Sequence, residues 1–141
     1  MPTRKASATW EGGLKGGKGS FKAESGLSGA YSFGSRFENA KQSNPEELLA
    51  AALASCYSMA LAVGLEKNGT PPTRVDTNVA CTIDKVGDGF KITKMDLVVR
   101  GKVPNVDAAT FDKLAQATKD GCPVSQVFKG NVQMTLEAKL E

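Results

Sequence analysis

The sequence predicts an α+β fold, and three features indicate it. Short stretches of alternating polar and apolar residues fill the first forty positions, one long apolar helical segment begins at Asn44, and a long hairpin pattern covers residues 73–103. Strands and helices therefore follow one another in blocks, which favours an α+β fold. With 141 residues the chain has the length of one domain, so we expect a single domain over residues 1–141.

The N-terminal segment predicts three short strands, in ATW, SFKAES and AYSFGSRF. The stretch GGLKGGKGS between the first two has Gly12, Gly17 and Lys18 at the spacing of a phosphate-binding loop. Gly19 stands where such a loop needs a hydroxyl for magnesium, and strand-like residues follow it instead of a helix. We therefore interpret the stretch as a basic hairpin tip.

The long helix has a clear start. Asn44 is a suitable N-cap, Pro45 fits the first helical position, and Glu47 completes a capping box. Its main apolar stripe is Leu49, Ala52, Leu53, Cys56, Met59, Ala60 and Val63, with further alanine and leucine on the other faces. A helix that is apolar nearly all round must be buried on most sides, which in a small domain suggests that a second chain covers one of them.

A long hairpin follows the break at TPPTR, with its turn at GDG. Val75, Thr77, Val79, Cys81 and Ile83 share one face of the first arm, and the second arm changes phase between Ile92 and Met95, which predicts a bulge. The segment DAATFDKLAQATKD predicts a helix that turns Phe111, Leu114, Ala115 and Thr118 inward and stops at Gly121. A short helix, PVSQVF, and a closing strand, VQMTLEAKL, end the chain.

Charge and hydropathy restrict the class of partner. The 18 basic and 15 acidic residues leave a net charge of +3, too small for a protein that tracks a phosphate backbone, so we expect no nucleic-acid partner. The N-terminus has no apolar segment of signal-peptide length, and serines and Tyr57 interrupt the longest apolar run. We expect a cytoplasmic protein without a membrane partner.

Cys56 and Cys122 are the candidate nucleophiles in a chain without histidine. Cys122 precedes Pro123 and so falls at the N-cap of the short helix, where free amides favour a thiolate. Cys56 lies within the long helix and would need a nearby cation, such as Arg36. On pattern alone Cys56 is equally well explained as a small buried hydrophobe and Cys122 as an inert N-cap residue. The sequence leaves open whether one subunit or two supply the two thiols.

The remaining cysteine and the metal hypothesis are weaker. Cys81 is explained by its apolar strand face, and we assign it no role. Three cysteines without a CxxC pair or a histidine lack the spacing of a zinc site, so we expect neither a metal nor a cofactor. An odd number of thiols in a reducing compartment also argues against a framework of structural disulfides.

Arg36 and Glu46 are candidates of lower specificity. By pattern Arg36 is a solvated charge at a strand end, and Glu46, like Glu47, favours the helix dipole. Glu46 lies ten residues before Cys56, which on a straight helix is about 15 Å of rise. A shared site would need either a broken helix or the antiparallel helix of a partner chain, and we favour the partner chain.

Two segments, SRFENAKQSNPEELLAAALASCYSMAL and DGCPVSQVF, resemble the OsmC/Ohr family of organic hydroperoxide reductases, and the OsmC branch more closely. The resemblance extends from about Tyr31 to the C-terminus. It implies an OsmC-like fold in an intertwined homodimer: short N-terminal strands, a long buried central helix, a long β-hairpin, and C-terminal helices and strand.

The same resemblance implies the chemistry. Cys56 corresponds to the peroxidatic cysteine, Cys122 to the cysteine that resolves its sulfenic acid as a disulfide, Arg36 to the arginine that stabilises the thiolate, and Glu46 to the glutamate that pairs with it. It implies organic hydroperoxides as substrates and a dithiol or lipoyl-type electron donor. The alternative is a non-catalytic protein of this fold that binds a small apolar ligand at the dimer interface.

Overall fold

The computed structural model describes residues 1–141 as two compact units, residues 1–48 and 49–141. The prediction of a single domain stays a prediction. Helix α2, Pro45–Lys67, gives its first turn to the first unit and the remainder to the second.

The first unit contains a three-stranded antiparallel sheet of β1 (Ala6–Glu11), β2 (Lys18–Ala23) and β3 (Ser28–Tyr31), in chain order. The first two predicted strands are therefore confirmed, and the third is confirmed as far as Tyr31. The glycine-rich stretch connects β1 to β2 as a hairpin turn, in which Gly12 adopts a positive φ of 92° and its carbonyl accepts a hydrogen bond from the Trp10 indole. A residue with a side chain would be strained at that φ.

The prediction of strand structure around Arg36 is wrong, because residues Phe33–Phe37 form a short helix, α1. Ser32 caps it: its hydroxyl accepts from the Ser35 amide at 3.1 Å, and the Ser35 hydroxyl accepts from the Ser32 amide at 2.9 Å. This reciprocal pair satisfies two backbone amides at the start of the helix. A prediction based on the spacing of apolar residues does not detect such a cap. Arg36 is consequently presented from a helix.

Helix α2 begins at Pro45, as predicted, but only half of its capping box forms. The Glu47 amide donates to Asn44 Oδ1 at 2.7 Å, whereas the Glu47 carboxylate accepts from the Ser43 hydroxyl. Asn44 also donates from Nδ2 to the Ser35 carbonyl at 3.0 Å, which ties the start of α2 to α1.

The second unit pairs β4 (Arg74–Val86) antiparallel with β5 (Gly89–Lys102), and β5 parallel with β6 (Gln133–Leu140). The register of β4 and β5 shifts where Thr82 faces Lys94 and Ile83 faces Ile92, so the predicted bulge is confirmed. The inward face of the first hairpin arm is also as predicted, because Cys81 is half-buried in phase with Val79.

Helices α3 (Ala108–Gly121) and α4 (Pro123–Phe128) complete this unit. The predicted inward residues Phe111, Ala115 and Thr118 are buried. Gly121 is the last residue of α3 and not the residue beyond its end; Cys122 caps α3 and begins α4. The core contains Leu53, Tyr57, Leu61, Leu65, Met95, Leu97, Val99, Phe111, Ala115 and Cys122.

The buried line on α2 differs from the predicted stripe. Leu53, Tyr57, Leu61 and Leu65 recur every fourth residue and are fully buried, whereas Met59 and Val63 are 68% and 44% exposed. The helix is apolar on both faces, so periodicity could not distinguish the face that packs on the sheet. By length and composition α2 could cross a membrane, but its buried line makes it the core helix of this unit.

Tyr57 braces α2 against α3. Its side chain is fully buried, and its hydroxyl donates to the Ala115 carbonyl at 2.8 Å. We expect Tyr57→Phe to lower the free energy of unfolding by about 1 kcal/mol, because the hydrogen bond is lost and no partner replaces it. Urea unfolding at a fixed protein concentration measures this.

Tyr31→Phe is the matched control for that substitution. The Tyr31 ring packs on Trp10 and Phe21, and removal of its hydroxyl leaves these ring contacts intact. Equal unfolding midpoints for the two variants would contradict the bracing role.

Candidate functional site

Two thiols 66 residues apart in sequence meet in the second unit. Cys56 Sγ and Cys122 Sγ are 2.9 Å apart, and both cysteines are free. A disulfide bond is about 2.05 Å long, so the sulfurs need to approach by only about 0.9 Å to form one. Both belong to one chain, which answers the question that the sequence leaves open.

The backbone holds Cys122 from both sides. Its amide donates to the Thr118 carbonyl at 3.0 Å, and its carbonyl accepts from the Gln126 amide at 3.0 Å. Pro123 follows at the first position of α4. Because Cys122 belongs to the end of one helix and the start of the next, its sulfur has a fixed position at the junction. Cys56 directly precedes Tyr57, whose hydrogen bond to the Ala115 carbonyl fixes this part of α2 against α3.

The surroundings of the pair favour a negative charge on Cys122. Burial raises the pKa of Cys122, but the hydrogen bond with Cys56, the Ser125 amide and hydroxyl, and the Val124 amide outweigh it, so the pKa is lower than that of an ordinary thiol. Burial raises the pKa of Cys56, and the hydrogen bond with Cys122 raises it further against the opposing Val124 amide. Within one chain these surroundings favour a thiolate on Cys122 over one on Cys56, and the Cys56 thiol can donate a hydrogen bond to that thiolate.

Ser125 is a contributor that the sequence analysis missed. Its side chain is fully buried, and its hydroxyl has no hydrogen-bond partner. Its influence on the Cys122 sulfur explains why such a hydroxyl is tolerated in the core. One signal could have found it, because Ser125 is the third residue after the N-cap Cys122, the position whose side chain commonly faces the cap.

Arg36 and Glu46 form an ion pair in the first unit. Arg36 Nε donates to Glu46 Oε1 at 2.8 Å, and the Glu46 side chain is 7% exposed against 39% for Arg36. Glu46 Oε2 is buried without a partner. Since the pair uses Nε, the two terminal nitrogens of the guanidinium are available to another acceptor. Arg36 thus carries a positioned charge and not the solvated one that its pattern suggests.

A hollow of about 300 Å³ adjoins Arg36 within the first unit. Its lining is largely aromatic and includes Trp10, Leu14, Tyr31, Phe33 and Phe37. Lys15 lies over the Phe33 ring at 5.7 Å from its centroid. This hollow can accept an apolar group beside a guanidinium.

A second hollow, of about 270 Å³, lies in the second unit between α2 and α3 and touches Cys122. Small apolar residues line it, among them Ala60, Gly64, Leu114 and Ala117, with Lys67 at one end.

The four predicted residues thus form two pairs, Cys56 with Cys122 in the second unit and Arg36 with Glu46 in the first. No group of three or more cysteine and carboxylate side chains lies close enough together to hold a metal ion.

Comparison with known proteins identifies a matching family and several relatives. Residues 38–137 match the family model of the OsmC-like proteins, a range that includes Glu46 and both cysteines and begins two residues after Arg36. The chain is 46% identical over 138 residues to the Peroxiredoxin OsmC of Escherichia coli, with 96% of each covered. It is 34% identical over 98 residues to the organic hydroperoxide resistance protein OhrA of Bacillus subtilis, which covers 69% of this chain and 67% of OhrA.

Solved structures confirm the predicted fold class. An organic hydroperoxide resistance protein from Elizabethkingia anophelis superposes with a TM-score of 0.82 at 23% identity, over 100% of this chain and 98% of the other. OhrB of Bacillus subtilis superposes with a TM-score of 0.69 at 27% identity, over 96% of this chain and 98% of the other.

The sulfur contact predicts how substitutions of Cys56 change the Cys122 thiol. Cys56→Ser keeps a donor beside Cys122, whereas Cys56→Ala removes it, so the pKa of Cys122 should be higher in the alanine variant than in the serine variant. The ultraviolet absorbance of the thiolate as a function of pH measures the pKa of Cys122. This method does not require an exposed sulfur. Cys81 contributes equally to both variants, and coincident titration curves would contradict the proposed donor role of Cys56.

Proposed function

The chain belongs to the OsmC-like protein family, as the resemblance predicts, and on that premise we propose that it is a cysteine-based peroxidase that reduces organic hydroperoxides to alcohols. The observation that carries the proposal is the 2.9 Å contact between two free thiols. A thiol oxidised by a peroxide becomes a sulfenic acid, which a neighbouring thiol converts to a disulfide before further oxidation occurs. The relatives named as a peroxiredoxin and as hydroperoxide resistance proteins support this activity over ligand binding without catalysis.

The reaction follows from the pair. The Cys56 thiolate attacks the distal peroxide oxygen, the O–O bond breaks, and the alkoxide takes a proton and leaves as the alcohol. Cys56 is then a sulfenic acid. The Cys122 thiolate attacks the Cys56 sulfur, the hydroxide takes a proton and leaves as water, and the Cys56–Cys122 disulfide remains. The lowered pKa of Cys122 suits this resolving step, because it increases the fraction of the nucleophile that is present as thiolate.

Cys56 needs a cation to become the attacking thiolate, since its surroundings within the second unit raise its pKa. We assign this role to Arg36, whose guanidinium retains two terminal nitrogens for the thiolate and for the developing charge on the peroxide oxygen. Glu46 holds the guanidinium at Nε. Its buried and otherwise unpartnered Oε2 is suited to a second bond from the arginine once the site is assembled.

A second copy of the chain is the proposed source of that cation. Helix α2 is unbroken from Pro45 to Lys67, and ten residues of it amount to about 15 Å of rise between Glu46 and Cys56. Met59 and Val63 are exposed on the same helix. Packing of this apolar face against a partner's α2 would bury both residues and bring the partner's ion pair to Cys56, in an intertwined homodimer with two sites.

The proposed substrate carries an apolar group beside the peroxide, because the hollow next to Arg36 is lined by aromatic rings. The protein also needs a reductant for its disulfide, and we propose a small dithiol or a lipoyl-type donor. The proposed location is the cytoplasm, where the reducing environment keeps the cysteines free between turnovers.

Substitution of each cysteine tests the assigned roles. We expect Cys56→Ser to abolish consumption of cumene hydroperoxide, because no other thiol occupies its position. We expect Cys122→Ser to consume one equivalent of peroxide and to hold one added oxygen atom on Cys56, with a second added only by further peroxide, since the resolving thiol is absent. Intact mass after one equivalent of peroxide measures both outcomes, with Cys81→Ser as the control that should turn over normally. Full turnover by Cys56→Ser would exclude the mechanism.

Arg36→Ala tests the cation. We expect the pKa of Cys56 to rise, and the rate of peroxide consumption near neutral pH to fall by roughly tenfold or more, because the opposite charge that favours the thiolate is lost. The pH profile of Cys56 alkylation measures the pKa. Arg74→Ala is the matched control, since Arg74 is a surface arginine paired with Asp76 and Glu141. An unchanged profile in Arg36→Ala would remove Arg36 from the site.

A further inference from the structure

We propose that the reductant attacks the Cys56 sulfur of the disulfide, and that Cys122 leaves as a thiolate held by the Ser125 hydroxyl. The inference rests on the proposed function and adds the direction of the reductive half of the cycle. A disulfide offers two sulfurs, and the choice determines which cysteine carries the mixed disulfide with the electron donor.

Burial distinguishes the two sulfurs. Cys122 is 1% exposed and belongs to the core of the second unit, whereas Cys56 is only half-buried. The sulfurs approach by less than 1 Å to form the disulfide, so this difference persists in the oxidised protein. A peroxide must reach Cys56 in every cycle, and an approach that is open to a peroxide is also open to a thiol. The greater accessibility of the Cys56 sulfur therefore favours attack of the reductant at Cys56.

The hollow between α2 and α3 is the competing approach, because it reaches Cys122 from another direction. Its lining is mostly apolar, with Lys67 and Thr118 as the exceptions, and it leaves almost none of Cys122 accessible to solvent. Attack through it would require the buried sulfur to be uncovered first.

The groups around Cys122 suit a leaving group. The amides of Val124 and Ser125 and the Ser125 hydroxyl all favour a negative sulfur at this position. The Ser125 hydroxyl is fully buried and has no hydrogen-bond partner in the reduced protein. An unsatisfied buried hydroxyl is costly, and ionisation of Cys122 supplies the acceptor that it lacks. A sulfur that is stabilised as a thiolate departs faster from a disulfide.

The electrons and protons balance for a dithiol donor. Its first thiolate forms a bond to Cys56 Sγ, the bond between Cys56 and Cys122 breaks, and the electron pair stays on Cys122 Sγ. The donor's second thiol then attacks its own sulfur in the mixed disulfide and releases Cys56. The donor ends as a cyclic disulfide, and its two protons leave the protein with two thiols.

Mapping the mixed disulfide tests the direction on the unsubstituted protein. The pair is oxidised with diamide, which requires no peroxidase activity, and is treated with β-mercaptoethanol as a one-thiol probe. Samples are quenched with acid at successive times, digested, and analysed by mass spectrometry, which distinguishes peptides that contain Cys56, Cys81 and Cys122. We expect the adduct predominantly on Cys56. An adduct predominantly on Cys122 overturns the proposal and leaves the peroxidase assignment intact.

Ser125→Ala tests the leaving group. We expect reduction of the diamide-formed disulfide by dithiothreitol to slow by roughly threefold to tenfold, because the departing thiolate loses one charge-assisted hydrogen bond. In a Cys56→Ser background, Ser125→Ala should also raise the pKa of Cys122 in a thiolate titration, which a merely structural role would not do.

Ser58→Ala is the matched control, since the Ser58 hydroxyl bonds the Ala54 carbonyl and Thr77 in the same unit and takes no part in the site. We expect it to retain the normal rate of reduction. An unchanged rate and an unchanged Cys122 titration in Ser125→Ala would overturn the assignment of Ser125.

Discussion

The contact between Cys56 Sγ and Cys122 Sγ is the constraint on which the rest of the structure depends. It joins the middle of α2 to the junction of α3 and α4 across 66 residues of sequence. Local structure fixes each cysteine on its own element, but only tertiary packing brings the two sulfurs together. The buried line of α2 fixes its rotation on the sheet, and the Tyr57 hydroxyl on the Ala115 carbonyl fixes it against α3. The core of the second unit therefore acts as the support that keeps two thiols within reach of a disulfide.

The asymmetry of the pair divides the chemistry between its members. Burial opposes charge on both sulfurs, but the helix junction and Ser125 favour charge on Cys122, whereas the hydrogen bond with Cys122 raises the pKa of Cys56 further. A thiol of low pKa is a good leaving group, but its thiolate is a weaker nucleophile than the thiolate of a thiol of higher pKa. Its larger thiolate fraction suits Cys122 to the proposed resolving step, and its stabilisation as a thiolate suits it to depart during reduction. The first nucleophile, Cys56, depends on a charge that the second unit does not supply, and in our proposal Arg36 supplies it.

The outcome of the sequence predictions depends on the range of the interactions involved. The start of α2 at Pro45, the bulge beside Ile92 and the inward face of α3 follow from residues a few positions apart, and all three are confirmed. Helix α1 was missed because its stability comes from a serine pair and not from apolar spacing. The sulfur contact and the partner of Arg36 join residues whose meeting is decided by tertiary packing. Only the family resemblance, and not their spacing, indicated these roles.

The two apolar faces of α2 connect the proposed assembly of two chains with the reactivity of Cys56. One face is used within the second unit, and the other exposes Met59 and Val63. If a second copy covers the exposed face and contributes Arg36, the cation reaches Cys56 only in the assembled protein. In an isolated chain the surroundings favour charge on the buried Cys122 over charge on Cys56. Cys56 would be activated only where the resolving thiol, the arginine that stabilises the thiolate and the apolar lining of the site are present together. This requirement limits over-oxidation of Cys56 before assembly.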